Sequence, residues 1–186
     1  MIPQYGEIIR NHGHSALQLA TKFGQRGENA RRQGWIMRGL TRTDMERHLN
    51  VGITYRNRNS SGICAALTGI TLKIGFRQFR VYIARKLKPG SCEYRTTLAH
   101  ERTHVRIYQS ALRKYLPEIR SVLRRSVDSL QPVEAASPVP AQRYFLARIE
   151  RDLAPTLARM NSETETLNGH MDTPENYRRE QALCPS

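Results

Sequence analysis

Leu98-Ala99-His100-Glu101-Arg102-Thr103-His104-Val105 is the stretch on which the reading of this chain turns. His100 and His104 are four residues apart. At 3.6 residues per turn, that spacing sets them about 40° apart on one helix face. Two imidazoles so placed can grip one zinc ion. Glu101 neighbours the first of them, so its carboxylate stands close to the metal without needing to bind it. A general base that takes a proton from zinc-activated water stands in that position. Leu98, Ala99 and Val105 supply an apolar side that would bury the helix. The same residues also suit an exposed helix with an incidental His pair, so the flanking sequence has to decide.

Downstream, a helical pattern runs from Glu93 to about Leu130, with Leu98, Val105, Leu112 and Leu116 along one face. Pro117 kinks this stretch or starts a second helix. Gln131 to Pro140 is a Pro-rich loop. A long helix then fits 141 to about 171, with Leu146, Ile149, Leu153, Met160 and Leu167 in a stripe. Thr173 followed by Pro174 reads as an N-cap and first residue of one more helix.

Upstream, Lys88-Pro89-Gly90-Ser91 is a turn. Val51–Tyr55, Ile70–Phe76 and Phe79–Ala84 read as strands, the last two separated by a short turn. Residues 1–50 are Arg-rich and weakly periodic. Ser15–Phe23 and Thr43–Leu49 suit short helices, and Gly24, Gly27 and Gly34 interrupt the region. The expected fold is α+β: a small antiparallel sheet packed against the active-site helix, then a mostly helical C-terminal half. The expected division is a largely helical segment 1–50, within or covering a domain of residues 51–186.

Zinc needs a third protein ligand, which leaves a fourth position to water. Asp172 is the first candidate, then Glu163, then His170. Asp172 also suits a helix-entry residue, and Glu163 a solvated helix charge. Tyr108 and Tyr177 are candidate donors to the oxyanion of a tetrahedral intermediate. His12, His14 and His48 carry no such signal.

Composition sets the outer bounds. The 186 residues include 30 Lys and Arg against 16 Asp and Glu, a formal charge of +14, most of it Arg. Such an excess suits nucleic acid, anionic lipid or an acidic cell-wall polymer, and equally a solvated surface. No helix-turn-helix, finger or aromatic-basic RNA motif accompanies it. No apolar run approaches the roughly 18 residues of a membrane span. Met1-Ile2-Pro3-Gln4-Tyr5 lacks the layout of a signal peptide. That fits a natural start, or a start placed after a removed signal. Cys64, Cys92 and Cys184 contain no CxxC pair, which excludes a cysteine zinc ribbon. Cys64 and Cys92 bracket the strand-rich segment and are the expected bridge, with Cys184 left over. A bridge points to an oxidising compartment.

Gly90-Ser91-Cys92-Glu93-Tyr94-Arg95 leads into the 98–105 stretch, and Asp172-Thr173-Pro174-Glu175-Asn176-Tyr177 and Cys184 follow near the end. Together these resemble a bacterial group of secreted or periplasmic HExxH zinc proteases of the DUF922 type. The likeness covers about residues 50–186. It implies a zincin-like fold, one Zn2+ per chain on His100 and His104, and Glu101 as catalyst. It also implies an extracytoplasmic location and a disulfide. Asp172 matches the Asp of that group's Tyr-Asp element. The His-Gly pair that usually follows is missing, which leaves the third ligand open.

The function expected is a zinc metalloendopeptidase acting on protein or peptide, including peptides of the cell envelope. Ile70–Phe76 or Phe79–Ala84 is the expected edge strand for an extended substrate. The alternatives are a basic nucleic-acid-associated protein, or a metal-binding scaffold without proteolytic activity; the alternative location is the cytoplasm. Sequence leaves the oligomeric state open.

Overall fold

The computed structural model describes residues 1–22, 38–58 and 62–184. In chain order the elements are β1 (Ile2–Asn11), α1 (Ala16–Lys22), β2 (Gly39–Asn57), β3 (Ile63–Ile83), α2 (Cys92–Ser129), β4 (Val133–Ala135), α3 (Pro138–Met171) and α4 (Pro174–Gln181). The architecture is α+β with a small sheet and a helical C-terminal half. The strand order is β1-β3-β2, and β4 pairs with β3 antiparallel, Cys64 opposite Glu134.

The sheet is mixed, where a purely antiparallel one was expected. Along β1 and β3 the facing positions rise together. Gly75 lies against Gln4, Gly6 against Phe79, and the Arg85 amide donates to the His14 carbonyl. Along β2 and β3 they run in opposite senses. Gly52 faces Thr68, Thr43 donates to the Gln78 carbonyl, and the Ala84 amide donates to the Arg38 carbonyl. β1 therefore runs parallel to β3 and β2 antiparallel to it.

Three expectations for the N-terminal half are corrected. Thr43–Leu49 is strand, not helix, because it lies within β2. Among the described residues of 1–50, β1 and the start of β2 are strand and α1 is helix. The helix expected over Ser15–Phe23 is present as α1, entered through a reciprocal cap in which the Gln18 amide donates to Ser15 Oγ and the Ser15 amide to Gln18 Oε1. Phe23, Gly24, Gly27 and Gly34 lie outside the described residues. Finally, Ile70–Phe76 and Phe79–Ala84 are not two strands about a turn but parts of one strand, β3. Its buried side chains change phase from Leu72, Ile74 and Phe76 to Phe79, Val81 and Ile83, so Arg77 and Gln78 together take up one extra residue.

The chain divides into two compact units. The first comprises 1–4, 45–75 and 111–162. Its core sets Ile63 and Ala65 of β3 against Ala141 and Phe145 of α3, with Val51, Ile53, Leu67, Leu130, Val133 and Ala135 around them. Ala141, Phe145, Ile149, Leu153 and Leu157 recur every fourth residue along α3 and are all buried. Pro117 lies inside α2 and does not end it.

The second unit comprises 5–44, 76–110 and 163–186. Phe76 and Phe79 pack with tilted rings, centroids 5.1 Å apart, and Tyr108 meets them at 5.5 and 6.0 Å. The turn Lys88–Ser91 forms as expected, with Gly90 at φ 86°. Ser91 then caps α2, its Oγ accepting from the Tyr94 amide. Glu93 in the first turn suits the helix dipole.

Gly75 tests the strand arrangement. Its φ is 140°, and a Cβ there would stand 2.8 Å from the Gln4 carbonyl carbon. Gly75→Ala is expected to destabilise by about 3 kcal/mol or more and lower Tm by several degrees in a thermal melt. Gly69, with open space where its Cβ would go, is the control; Gly69→Ala should stay within about 1 kcal/mol.

Candidate metal centre

All the groups of this site belong to the second unit. The first turns of α2 carry His100, Glu101 and His104, at 3%, 2% and 7% exposure. Three ionisable side chains this deeply buried on one helix require partners close by. The His100 and His104 Nε2 atoms lie 3.0 Å apart. Asp172 Oδ1, from the short link between α3 and α4, lies 3.3 Å from the first and 3.2 Å from the second.

Three donor atoms thus form a nearly equilateral triangle. Ligands at zinc's usual bond lengths in a tetrahedron are separated by roughly 3.3 Å. The triangle therefore has the size of one face of a zinc site, and its N, N, O chemistry suits that metal. Among the described residues, His100, His104 and Asp172 are the group able to hold a metal ion.

A second ring of contacts orients these donors. His100 Nδ1 lies 2.9 Å from Glu180 Oε2, and His104 Nδ1 lies 2.7 Å from Asn168 Oδ1. Donation outward from both Nδ1 atoms leaves the Nε2 lone pairs turned inward, as metal-binding imidazoles require. Glu180 is itself held by Asn176, whose Nδ2 donates to Glu180 Oε1 at 3.0 Å and to the Met171 carbonyl at 2.9 Å. The Tyr177 hydroxyl donates to Asp172 Oδ1 at 2.8 Å, and its ring lies 4.9 Å from that of His100.

Glu101 is gripped separately. Thr41 Oγ1 lies 2.8 Å from its Oε2. Gly39 backs the carboxylate closely enough that any Cβ there would overlap it and also come 2.8 Å from Thr97 Cγ2. Both residues come from the start of β2. Gly39, Thr97, His100, Glu101, Tyr177 and Glu180 line a common cleft.

The electrostatics follow from this crowding. Burial works against charge on the His100 ring, but Asp172, Glu101 and Glu180 outweigh it and raise its pKa from 6.5 to about 9. Burial likewise opposes charge on His104, and Asp172 and Glu101 again raise it. Burial pushes Glu101 up to about 7, against the pull of His104, His100 and Thr41. Burial would also raise Asp172, yet hydrogen bonds from both imidazoles hold it well below the usual carboxylate range. The surroundings of the two Nε2 atoms are therefore strongly negative and favour a cation there, whether protons on the rings or a divalent ion between them.

His100, Glu101, His104 and Asp172 come together. Glu163 is half-buried and His170 exposed on α3, and neither joins the group. Tyr177 reaches the site, whereas Tyr108 packs on Phe76 and Phe79. His12 bonds the Leu87 carbonyl, and His48 is exposed. Sequence reasoning missed Thr41, Asn168, Asn176 and Glu180. Asn and Glu are ordinary residues of exposed helix faces, so nothing in their local context marks them.

The disulfide also departs from expectation. Cys92 pairs with Cys184, their Cα atoms 5.6 Å apart, while Cys64 is free. The expected Cys64–Cys92 bridge does not form: Cys92 is taken by Cys184, and Cys64 lies within β3 opposite Glu134 of β4. The actual bridge ties the start of α2 to Cys184, three residues beyond α4, the helix carrying Tyr177 and Glu180.

Removing an orienting group tests the site. Glu180→Ala is expected to weaken zinc affinity by about 10–100-fold in a chelator competition, with the fold retained. No family model, curated protein or solved structure was found to match the chain.

Proposed function

We propose that this chain is a zinc-dependent metalloendopeptidase of zincin-like design. The observation that carries the reading is the triangle of His100 Nε2, His104 Nε2 and Asp172 Oδ1 at 3.0–3.3 Å, with the buried carboxylate of Glu101 beside it. His100, His104 and Asp172 would hold the metal, one ion per chain. What zinc supplies in such a setting is Lewis acidity, which polarises a carbonyl and makes water acidic near neutral pH.

The chain's own residues do the rest. Thr41 pins Glu101 Oε2, which leaves Oε1 to take a proton from the attacking water and deliver it to the leaving amine. The raised pKa of Glu101, about 7, suits a group that must both accept and release a proton. Glu180 and Asn168 keep the imidazoles in the tautomer that binds metal. Tyr177 steadies Asp172.

A peptide substrate is favoured by the sheet edge. β3 cannot serve as the edge strand that the sequence suggested, since it lies between β1 and β2. β2 ends the strand order, and its first residues pack on Glu101. An extended peptide added there would bring a backbone carbonyl towards the site. An extracytoplasmic location is supported by the Cys92–Cys184 bridge. No helix among the described residues is long and apolar enough to cross a membrane.

Glu101→Gln separates catalysis from metal binding. The variant should retain zinc and lose about 10²–10⁴-fold in turnover on a peptide library. Undiminished turnover with zinc retained would remove Glu101 as the base.

A further inference from the structure

α4 carries site residues on slender support. It is eight residues long, too short to persist alone in water. It contributes none of the buried apolar side chains, and its one buried residue is Asn176. No hydrophobic stripe therefore fixes it in place. What it offers its surroundings is polar and directed at the metal centre. Glu180 meets His100 Nδ1, the Tyr177 hydroxyl donates to Asp172, and the Tyr177 ring lies beside His100. These contacts last only while α4 stays where it is.

The chain holds α4 covalently at both ends. Its entry follows α3 through Asp172 and Thr173, and its exit is tied by the Cys92–Cys184 bridge three residues beyond Gln181. Cys92 opens α2, and His100 and His104 stand about two and three turns further along it. One bridge thus joins the stretch of helix that bears two metal donors to the helix that orients them. All of these residues lie in the second unit. The bridge is also within reach of solvent. Cys92 and Cys184 are both half-buried, and Cys184 lines the cleft shared by His100, Glu101 and Glu180. Access of this kind lets a thiol attack a disulfide sulfur.

We infer that the Cys92–Cys184 bridge is a redox clasp on the metal centre: closed, it holds α4 on His100 and Asp172, and opened by a dithiol, it releases α4 and loosens the metal. The inference rests on the metal reading above and adds its regulation. In opening, a thiolate of the dithiol attacks one sulfur of the bridge, and its second thiol then displaces the mixed disulfide. The dithiol leaves oxidised to a disulfide, and Cys92 and Cys184 are left as two thiols. Release of α4 removes the acceptor from His100 Nδ1 and the hydroxyl donor from Asp172, and lost orienting groups lower metal affinity. Reducing surroundings therefore keep the centre slack, and oxidising ones tighten it. By linkage, bound metal makes the bridge harder to reduce by the same factor.

The full chain is compared oxidised and after reduction with a phosphine, which takes oxygen from water as it opens the bridge and leaves no added thiolate to compete for zinc. Zinc affinity is read by chelator competition, and α4 by amide hydrogen exchange in zinc-free protein. Reduction should weaken zinc binding at least about 10-fold. It should speed exchange across 177–182 by at least about 10-fold while 101–110 of α2 keep their protection. Reoxidation should restore both. Cys92→Ser/Cys184→Ser should match the reduced chain, which separates release of α4 from any capture of metal by the freed thiols. Tyr177→Phe/Glu180→Ala already lacks what α4 supplies, so reduction should cost it no more than about a few-fold. Equal zinc affinity in the two redox states, or unchanged exchange across 177–182, would overturn the clasp. A full loss on reduction in Tyr177→Phe/Glu180→Ala would overturn α4 as its route. An oxidised chain that takes no zinc would overturn the metal reading instead, and the exchange would still decide whether the bridge holds α4.

Discussion

Two imidazole nitrogens held 3.0 Å apart in a nearly dry interior are the constraint from which the rest of the second unit follows. Neither ring can be left charged and alone there, because desolvation would be prohibitive. Each therefore donates outward, to Glu180 and to Asn168, and both share Asp172 inward. Glu101, buried beside them, adds to the negative potential that favours positive charge on or between the rings. The arrangement is coherent as a site for a divalent ion and costly as mere packing.

The supporting elements are placed accordingly. α2 brings the two His residues and Glu101 from one local motif. The turn after α3 brings Asp172, and α4 brings Tyr177 and Glu180. α4 is only eight residues long, too short to hold its position by propensity. The Thr173 cap with Pro174 behind it fixes its entry, and the Cys92–Cys184 bridge fastens its exit to the start of α2. A loop of 92 residues closed by one bridge restricts the unfolded chain by about 5 kcal/mol in the chain-entropy account. That restriction acts on the elements carrying the donors and their orienting groups.

What was legible in the sequence was local. His100, Glu101 and His104 declared themselves through i,i+4 geometry, and Thr173-Pro174 through cap chemistry. The long helices showed in apolar stripes, of which Ile149, Leu153 and Met160 are buried. What was hidden depended on distant partners. Thr41, Thr43 and Met45 are half-buried and alternate with exposed Arg42 and Asp44, but threonines on the inner face disguise a strand as polar sequence. β3 concealed its continuity because its alternation slips by one residue at Arg77 and Gln78. Asp172 could be ranked first but not fixed, since 72 residues separate it from His100. Cysteine pairing depends on which ends of the chain meet, and spacing does not encode that.

The most direct measurement is zinc content per chain, by elemental analysis of protein purified without chelator and supplied with zinc, beside a His100→Ala/His104→Ala double variant. The account predicts about one zinc per chain in the wild type and none in the double variant. No zinc in the wild type, or equal zinc in both, would contradict the claim that this buried triangle is a metal centre.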